Sequence, residues 1–167
     1  MDADTIKHFV KSVRNVFSTM VHTQLTVGTP HLKTDEDRAD VSGIIGFSGD
    51  AAGCVVISFS SETAERVASS FAGVPITRDH PDFADAVGEL ANMVAGAAKR
   101  EFDDMDIKIS LPSVVLGDRF HVGNSRSVPR IVIPCDGELG KVDVEIAMES
   151  KALSRTAPTA STATGAS

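Results

Sequence analysis

Val41-Ser42-Gly43-Ile44-Ile45-Gly46-Phe47, the turn Ser48-Gly49-Asp50 and the run from Gly53 to Phe59 decide the fold class. Both runs are apolar and rich in β-branched residues. The small polar residues between them mark a tight reversal, so the stretch reads as a hairpin. Helix signals follow directly. Ser60-Ser61-Glu62 offers a hydroxyl to cap the first amides and a carboxylate for the positive end of the dipole. Ala64, Val67, Ala68 and Phe71 recur at helical spacing, and Gly73 and Pro75 end the pattern. Pro81 suits the first position of a second helix, with Asp82 in its first turn and its end near Phe102.

Working outward, the segment before the hairpin is an amphipathic helix. Ile6, Phe9, Val10, Val13, Val16, Phe17, Met20 and Val21 form one face, and Lys7, Lys11, Arg14 and Asn15 the other. Leu25, Val27 and Leu32, punctuated by Gly28 and Pro30, make a short β region. Beyond the central helices the chain returns to strands. Ile107, Ile109 and Val114 to Leu116 lead to a turn at Gly117-Asp118. Gly123-Asn124-Ser125 is a loop, Val128 to Cys135 a strand, and Asp136-Gly137 begins a turn. Val142, Val144, Ile146 and Met148 alternate with Lys141, Asp143, Glu145 and Ala147, which predicts a half-exposed strand. The expected fold is α+β: a single domain with a largely antiparallel sheet, a long N-terminal helix and two central helices packed against it. The domain is expected over residues 1–150. Residues 151–167, small and polar around Thr156-Ala157-Pro158-Thr159, are expected to be a disordered tail.

Composition excludes several function classes. The 167 residues carry a formal net charge of -7, which opposes binding to a nucleic-acid backbone. A hydrophobic fraction of 42% can build a core without metal or disulfide support. Cys54 and Cys135 sit in apolar runs outside any CxxC pair and read as core thiols. The five histidines, His8, His22, His31, His80 and His121, are scattered, so no metal site is expected. There is no G-x-S-x-G nucleophile turn and no phosphate-cradling G-x-x-x-x-G-K. Met1-Asp2-Ala3-Asp4-Thr5 lacks the basic start of a signal peptide, and no apolar run reaches the ~20 residues of a spanning helix. A cytoplasmic protein with no membrane contact is expected.

The chemistry concentrates in the helix from Pro81 to Arg100. At ~100° per residue, Asp85, Glu89, Asn92, Gly96 and Lys99 fall within roughly 80° of arc. Phe83, Val87, Leu90, Val94, Ala97 and Ala98 occupy the other side. A polar stripe of this kind is commonly just a solvated face. Here it contains a mid-helix Asn, a residue that prefers caps, and Gly88 and Gly96 border or join it at a cost of about 1 kcal/mol each against Ala. Such glycines serve either tight packing within the domain or the close approach of another backbone. Glu89 and Asn92 project side by side. The carboxamide cannot act as a base, but it can accept a hydrogen bond from water and donate one to an oxygen. The carboxylate can anchor a cation. The pair is suited to completing an active site on another molecule.

Asp85-x-x-x-Glu89-x-x-Asn92, continued by Met93-Val94-x-Gly96-x-x-Lys99, resembles the signature helix of the CheC/CheX/FliY phosphatases of bacterial chemotaxis. Further stretches resemble the CheX branch: Asn15-Val16-Phe17-x-x-Met20, Val41 to Gly46, Leu111-Pro112-Ser113-Val114-Val115-x-Gly117 and Ile131-Val132-Ile133-Pro134. The resemblance spans roughly residues 5 to 149. It implies a hydrolase for the aspartyl-phosphate of a CheY-like response-regulator receiver. Glu89 would pair with the receiver's lysine and Asn92 would orient the attacking water. Asp85, Gly88, Gly96, Lys99 and Pro112 would support them, Pro112 standing slightly nearer to Asn92 than the family's motif proline does. The Mg²⁺ would come with the receiver, with no cofactor of the chain's own. The matching positions of the first helix, His8, Ser12 and Asn15, lack the acidic residues of a second site, so one site per chain is implied, as is a CheX-type homodimer through sheet edges. The alternative is a non-catalytic receiver-binding scaffold like the flagellar switch proteins.

Overall fold

The computed structural model describes residues 1–123 and 128–151. Most of the expected Gly123-Asn124-Ser125 loop and all but the first residue of the expected tail lie outside them. Among the described residues, eight strands form one antiparallel sheet with helices over one face.

Helix α1 spans Ala3–Val16, with the Asp2 carboxylate accepting from the Thr5 amide at 2.8 Å. It widens into a π-helical turn over Phe17–Val21, closed by His22 in the left-handed region. Short strands β1 (Thr26–Val27) and β2 (His31–Leu32) follow. The hairpin is β3 (Ala39–Gly49) and β4 (Ala51–Phe59), paired from Val41↔Phe59 to Phe47↔Gly53. Two glycines are required there. Gly49 turns the chain at φ +104°, and Gly53, at φ +149°, lies so close to the Ala147 carbonyl that a Cβ has no room.

Helix α2 covers Ser61–Ala72, with Ser60 as its cap and Gly73 ending it at φ 72°. Helix α3 covers Phe83–Arg100. Its start differs slightly from the expectation: Pro81 and Asp82 remain in the preceding turn, where the Asp82 amide donates to His80 Nδ1 at 3.0 Å. Strands β5 (Ile107–Ile109), β6 (Ser113–Phe120), β7 (Ile131–Gly137) and β8 (Gly140–Ser150) complete the sheet. Its order is β1-β7-β8-β4-β3-β5, with β2 also on β7 and β6 also on β3.

Gly117-Asp118 is not the expected turn, because β6 runs through it. The pairing with β3 shifts between Ala39 and Val41, and Arg119 takes φ 47°. The turn-forming dipeptide serves a bulge. Asp40 fixes it: one carboxylate oxygen accepts from the Arg119 amide at 2.8 Å and the other from the Ser61 amide at 2.9 Å. The strand expected from Val128 begins only at Ile131 and carries on through Asp136-Gly137.

Phe9, Val13 and Phe17 of the first helical segment and Phe83, Val87, Leu90 and Val94 of α3 pack over Val41, Ile45, Phe47, Val55, Ile57, Val144 and Ile146 of the sheet. Small residues set the spacing of α3. A Cβ on Gly43 of β3 would stand 2.8 Å from the Ala91 Cβ and 3.3 Å from the Val87 carbonyl oxygen. The helix therefore lies nearly against the strand backbone.

The opposite face of the sheet corrects another expectation. Glu145 is only 3% exposed, although the alternation of β8 assigns it to solvent. Lys33 Nζ reaches one of its oxygens at 2.6 Å and Arg130 Nη1 the other at 3.2 Å, and both cations are themselves buried. The Ser58 hydroxyl donates to the same carboxylate at 3.4 Å and shares a 2.8 Å hydrogen bond with Ser42. Arg130 Nη2 also approaches the Cys54 sulfur at 3.7 Å. Both thiols are free, as expected. Burial pushes the Cys54 thiol up and the Cys135 thiol to about 12, so both remain protonated and unreactive at neutral pH.

Glu145→Gln leaves two buried cations without their carboxylate. It should cost about 3–5 kcal/mol of stability, measured as a fall in the urea midpoint with an unchanged slope.

Candidate functional site

Helix α3 holds the site because its other side is consumed by the core. Ten of its residues are buried, among them Phe83, Val87, Leu90, Val94 and Ala98. That fixes the helix's rotation. Asp85, Glu89 and Lys99 emerge into solvent, and Asn92 is half-buried on the same side. Among the described residues, neither Glu89 nor Asn92 engages another side chain in a hydrogen bond or ion pair. Asp85 and Glu89 are like charges one turn apart, a spacing that slightly destabilises a helix. The stripe therefore contributes nothing evident to the stability of its own helix.

The two glycines separate into the two roles their positions allow. A Cβ on Gly88 would meet Pro112 Cγ at 3.3 Å and Val114 Cγ2 at 3.4 Å, so Gly88 admits the β5–β6 loop and β6 against the helix. A Cβ on Gly96 would meet nothing nearer than the Arg100 guanidinium at 4.0 Å. Gly96 leaves open space beside Asn92, one turn away on the same stripe.

The structure thus brings part of the expected set together. Asp85, Gly88, Glu89 and Pro112 line one shallow depression with Ala84 and Val114. Asn92 stands on the next turn, on the side of Gly96. Lys99 is ten residues beyond Glu89, about 15 Å along the axis at 1.5 Å per residue, and lies apart from the depression. Sequence reasoning missed Ala84 and Val114. Val114 was legible as a strand residue, but its place beside Glu89 depends on the β3–β6 register, in which Val114 pairs with Gly43.

The C-terminal end of α3 is tied to α1. Lys11 Nζ meets both Glu101 carboxylate oxygens, at 3.0 and 2.8 Å, and this hydrogen bond is the main reason the Glu101 pKa is lowered. His8 packs edge-on to Phe102 at 5.0 Å between ring centroids. With the core beneath it and this clamp at its end, α3 is a rigid mount. A carboxylate and a carboxamide held three residues apart can anchor an incoming cation and orient a water, while the nucleophile's target must come from elsewhere.

The chain is similar to known proteins over most of its length. Residues 41–136 match the family model described as chemotaxis phosphatase CheX. The chain is 32% identical over 121 residues to the CheY-P phosphatase CheX of Thermotoga maritima, covering 70% of this chain and 78% of that protein. The crystal structure of a CheC-like superfamily protein from Shewanella sp. PV-4 superposes with a TM-score of 0.81 at 32% identity, covering 90% of this chain and all of that one. The fold is also that of CheX in the CheX–CheY–BeF3–Mg²⁺ complex from Borrelia burgdorferi, with a TM-score of 0.76, 23% identity, and coverage of 89% of this chain and 100% of that one. No helix among the described residues is long and apolar enough to cross a membrane.

Gly96→Ala should stabilise the isolated protein by about 0.5–1 kcal/mol, because alanine is the better helix former and its methyl meets no obstacle. Thermal unfolding read by circular dichroism would register this as a rise in Tm. A fall would mean that Gly96 is needed for packing after all.

Proposed function

The chain belongs to the CheX family of chemotaxis phosphatases, and on that premise we propose that it hydrolyses the aspartyl-phosphate of a CheY-like receiver domain with Glu89 and Asn92. One observation carries the reading. Both side chains leave the same side of a helix locked into the core, and neither has a side-chain partner among the described residues.

In this mechanism the receiver brings the phosphoryl group, its lysine and its Mg²⁺, and this chain brings no cofactor. Glu89 takes the receiver's lysine, a charge-assisted contact that fixes the docking direction. Asn92 enters the receiver's site, accepts a hydrogen bond from a water and holds it in line with phosphorus. The rate gain comes from orientation, since the carboxamide takes no proton. Asp85 adds negative potential beside Glu89. Gly88 and Pro112 shape the depression, and Gly96 admits the receiver's backbone next to Asn92. Lys99 meets the receiver at the far end of the helix. The reaction belongs in the cytoplasm, with domain 1–150 carrying it and residues 151–167 taking no catalytic part.

The active unit in this reading is a homodimer joined at sheet edges, and β6 is the edge best suited to it. Its outer side has no strand partner among the described residues, and Val115 and Leu116 are exposed on it. A long apolar edge of this kind favours pairing with a second copy.

Asn92→Ala should lower the dephosphorylation rate of phosphorylated receiver by about 10²-fold through loss of water positioning. Glu89→Ala should weaken the reaction by about tenfold or more through the unpaired lysine. Phosphate release measured against receiver autodephosphorylation reads both. Wild-type binding without acceleration would make the chain a scaffold, and unchanged rates in both variants would end the mechanism. For the dimer, Val115→Lys should shift the protein toward monomer in sedimentation velocity with little change in Tm. A wild type that is monomeric at all concentrations would remove this part of the proposal.

A further inference from the structure

Leu111 is 88% exposed, more than any other large apolar residue described. A leucine in solvent is ordinary when it stands on a pliant loop. This one stands on a loop whose backbone is pinned on both sides. Before it, the Ser110 amide donates to the Gly46 carbonyl at 2.9 Å, and the Ser110 hydroxyl accepts from the Gly46 amide at 2.9 Å. The same hydroxyl donates to the carbonyl of Leu111 at 2.8 Å. After it, Pro112 restricts Leu111 to extended conformations and lies over Gly88, with its ring 3.3 Å from where a Cβ would be. The chain thus exposes an apolar side chain on a pinned backbone, next to the residue that lines the depression beside Glu89.

We infer that Leu111 is an apolar anchor that seats the receiver domain against α3, setting affinity and leaving the chemical step to other groups. The inference rests on the function proposed above. A body that brings a cation to Glu89 must lie over the depression, and Leu111 immediately precedes Pro112, which lines it. The surface that fits is a folded domain with a cation beside a small apolar hollow. Because the loop is already ordered, little conformational entropy is lost when Leu111 is buried, so most of its transfer free energy appears as affinity. The geometry also separates this contact from the dimer edge. Leu111 precedes β6 and takes no part in the β3–β6 register, in which Val115 pairs with Ser42 on the sheet face away from the helices.

The test uses the full chain, a CheY-type receiver, and three variants. Leu111→Ser removes the anchor, Leu111→Met preserves its bulk, and Leu32→Ser removes another exposed leucine, 61% exposed on β2 at the opposite edge of the sheet. Readouts are kcat and KM for the phosphorylated receiver, Kd for the receiver loaded with beryllofluoride and Mg²⁺, and sedimentation of each protein. Leu111→Ser should raise KM and Kd about tenfold with kcat held within about twofold, while Leu111→Met and Leu32→Ser stay near wild type. An unchanged KM, a loss confined to kcat, or a changed oligomeric state in Leu111→Ser would overturn the inference, the last by putting Leu111 between copies of the chain. An active wild type with an unaffected Leu111→Ser removes this inference alone. A wild type that neither binds nor dephosphorylates the receiver removes the functional reading together with it.

Discussion

The contact on which the rest depends is the approach of α3 to β3, where Gly43 faces Ala91 and Val87 with no room for a Cβ. A helix normally sits farther from a sheet, held off by the side chains of both. Here small residues on the two surfaces let the backbones come close, and the larger side chains of α3 fill the space to either side. A helix seated this tightly cannot roll or slide without collision. The direction in which Glu89 and Asn92 leave the domain is therefore set by residues on the opposite side of the helix. The Lys11–Glu101 contact and the packing of His8 on Phe102 hold its C-terminal end, although an exposed ion pair adds little by itself.

The same structure explains which features were legible in the sequence. The β3–β4 hairpin and the two faces of α3 were readable because each follows a local period, and local periods survive burial. Gly88 and Gly96 were not separable, since both are mid-helix glycines on the border of one stripe. Only the β5–β6 loop, brought over Gly88 by tertiary folding, distinguishes them. Glu145 was assigned to solvent because alternation along β8 identifies the face but not what covers it. Its cover comes from Lys33, far from it in the chain, and from Arg130, across the β7–β8 pairing. Gly117-Asp118 carried a true signal for unusual backbone, but a bulge and a turn use the same residue types.

The buried charges on the far face complement the helix-covered face. A one-residue slip of β8 against β4 would move Glu145 under the helices and carry Val144 and Ile146 out among the cations. Such a slip is costly on both faces at once, which holds register in the middle of the sheet. The apolar face alone specifies which residues point inward. The carboxylate, met from separate segments by Lys33 and Arg130, adds which segments must cover the other side. Because β4 pairs with β3 and β3 carries α3, a register fixed at Glu145 is transmitted through two strand pairings to the helix that bears the site.

The polar stripe has the opposite character. Its residues have no side-chain partners among the described residues, two carry like charge one turn apart, and a glycine stands among them with empty space in front of it. Each of these weakens an isolated helix, if only by tenths of a kcal/mol for the charges and about 1 kcal/mol for the glycine. The tight seating of α3 offsets those losses, and the stripe is then free to be shaped by what it meets. In the proposed reaction the incoming cation relieves the repulsion between Asp85 and Glu89, and the receiver's backbone fills the space before Gly96. What is unfavourable in the free chain becomes favourable in the complex. A phosphatase whose substrate supplies the metal and the charges needs little chemistry of its own. It needs a rigid helix and two side chains held at a fixed angle, and a small domain with one well-packed helix can provide both.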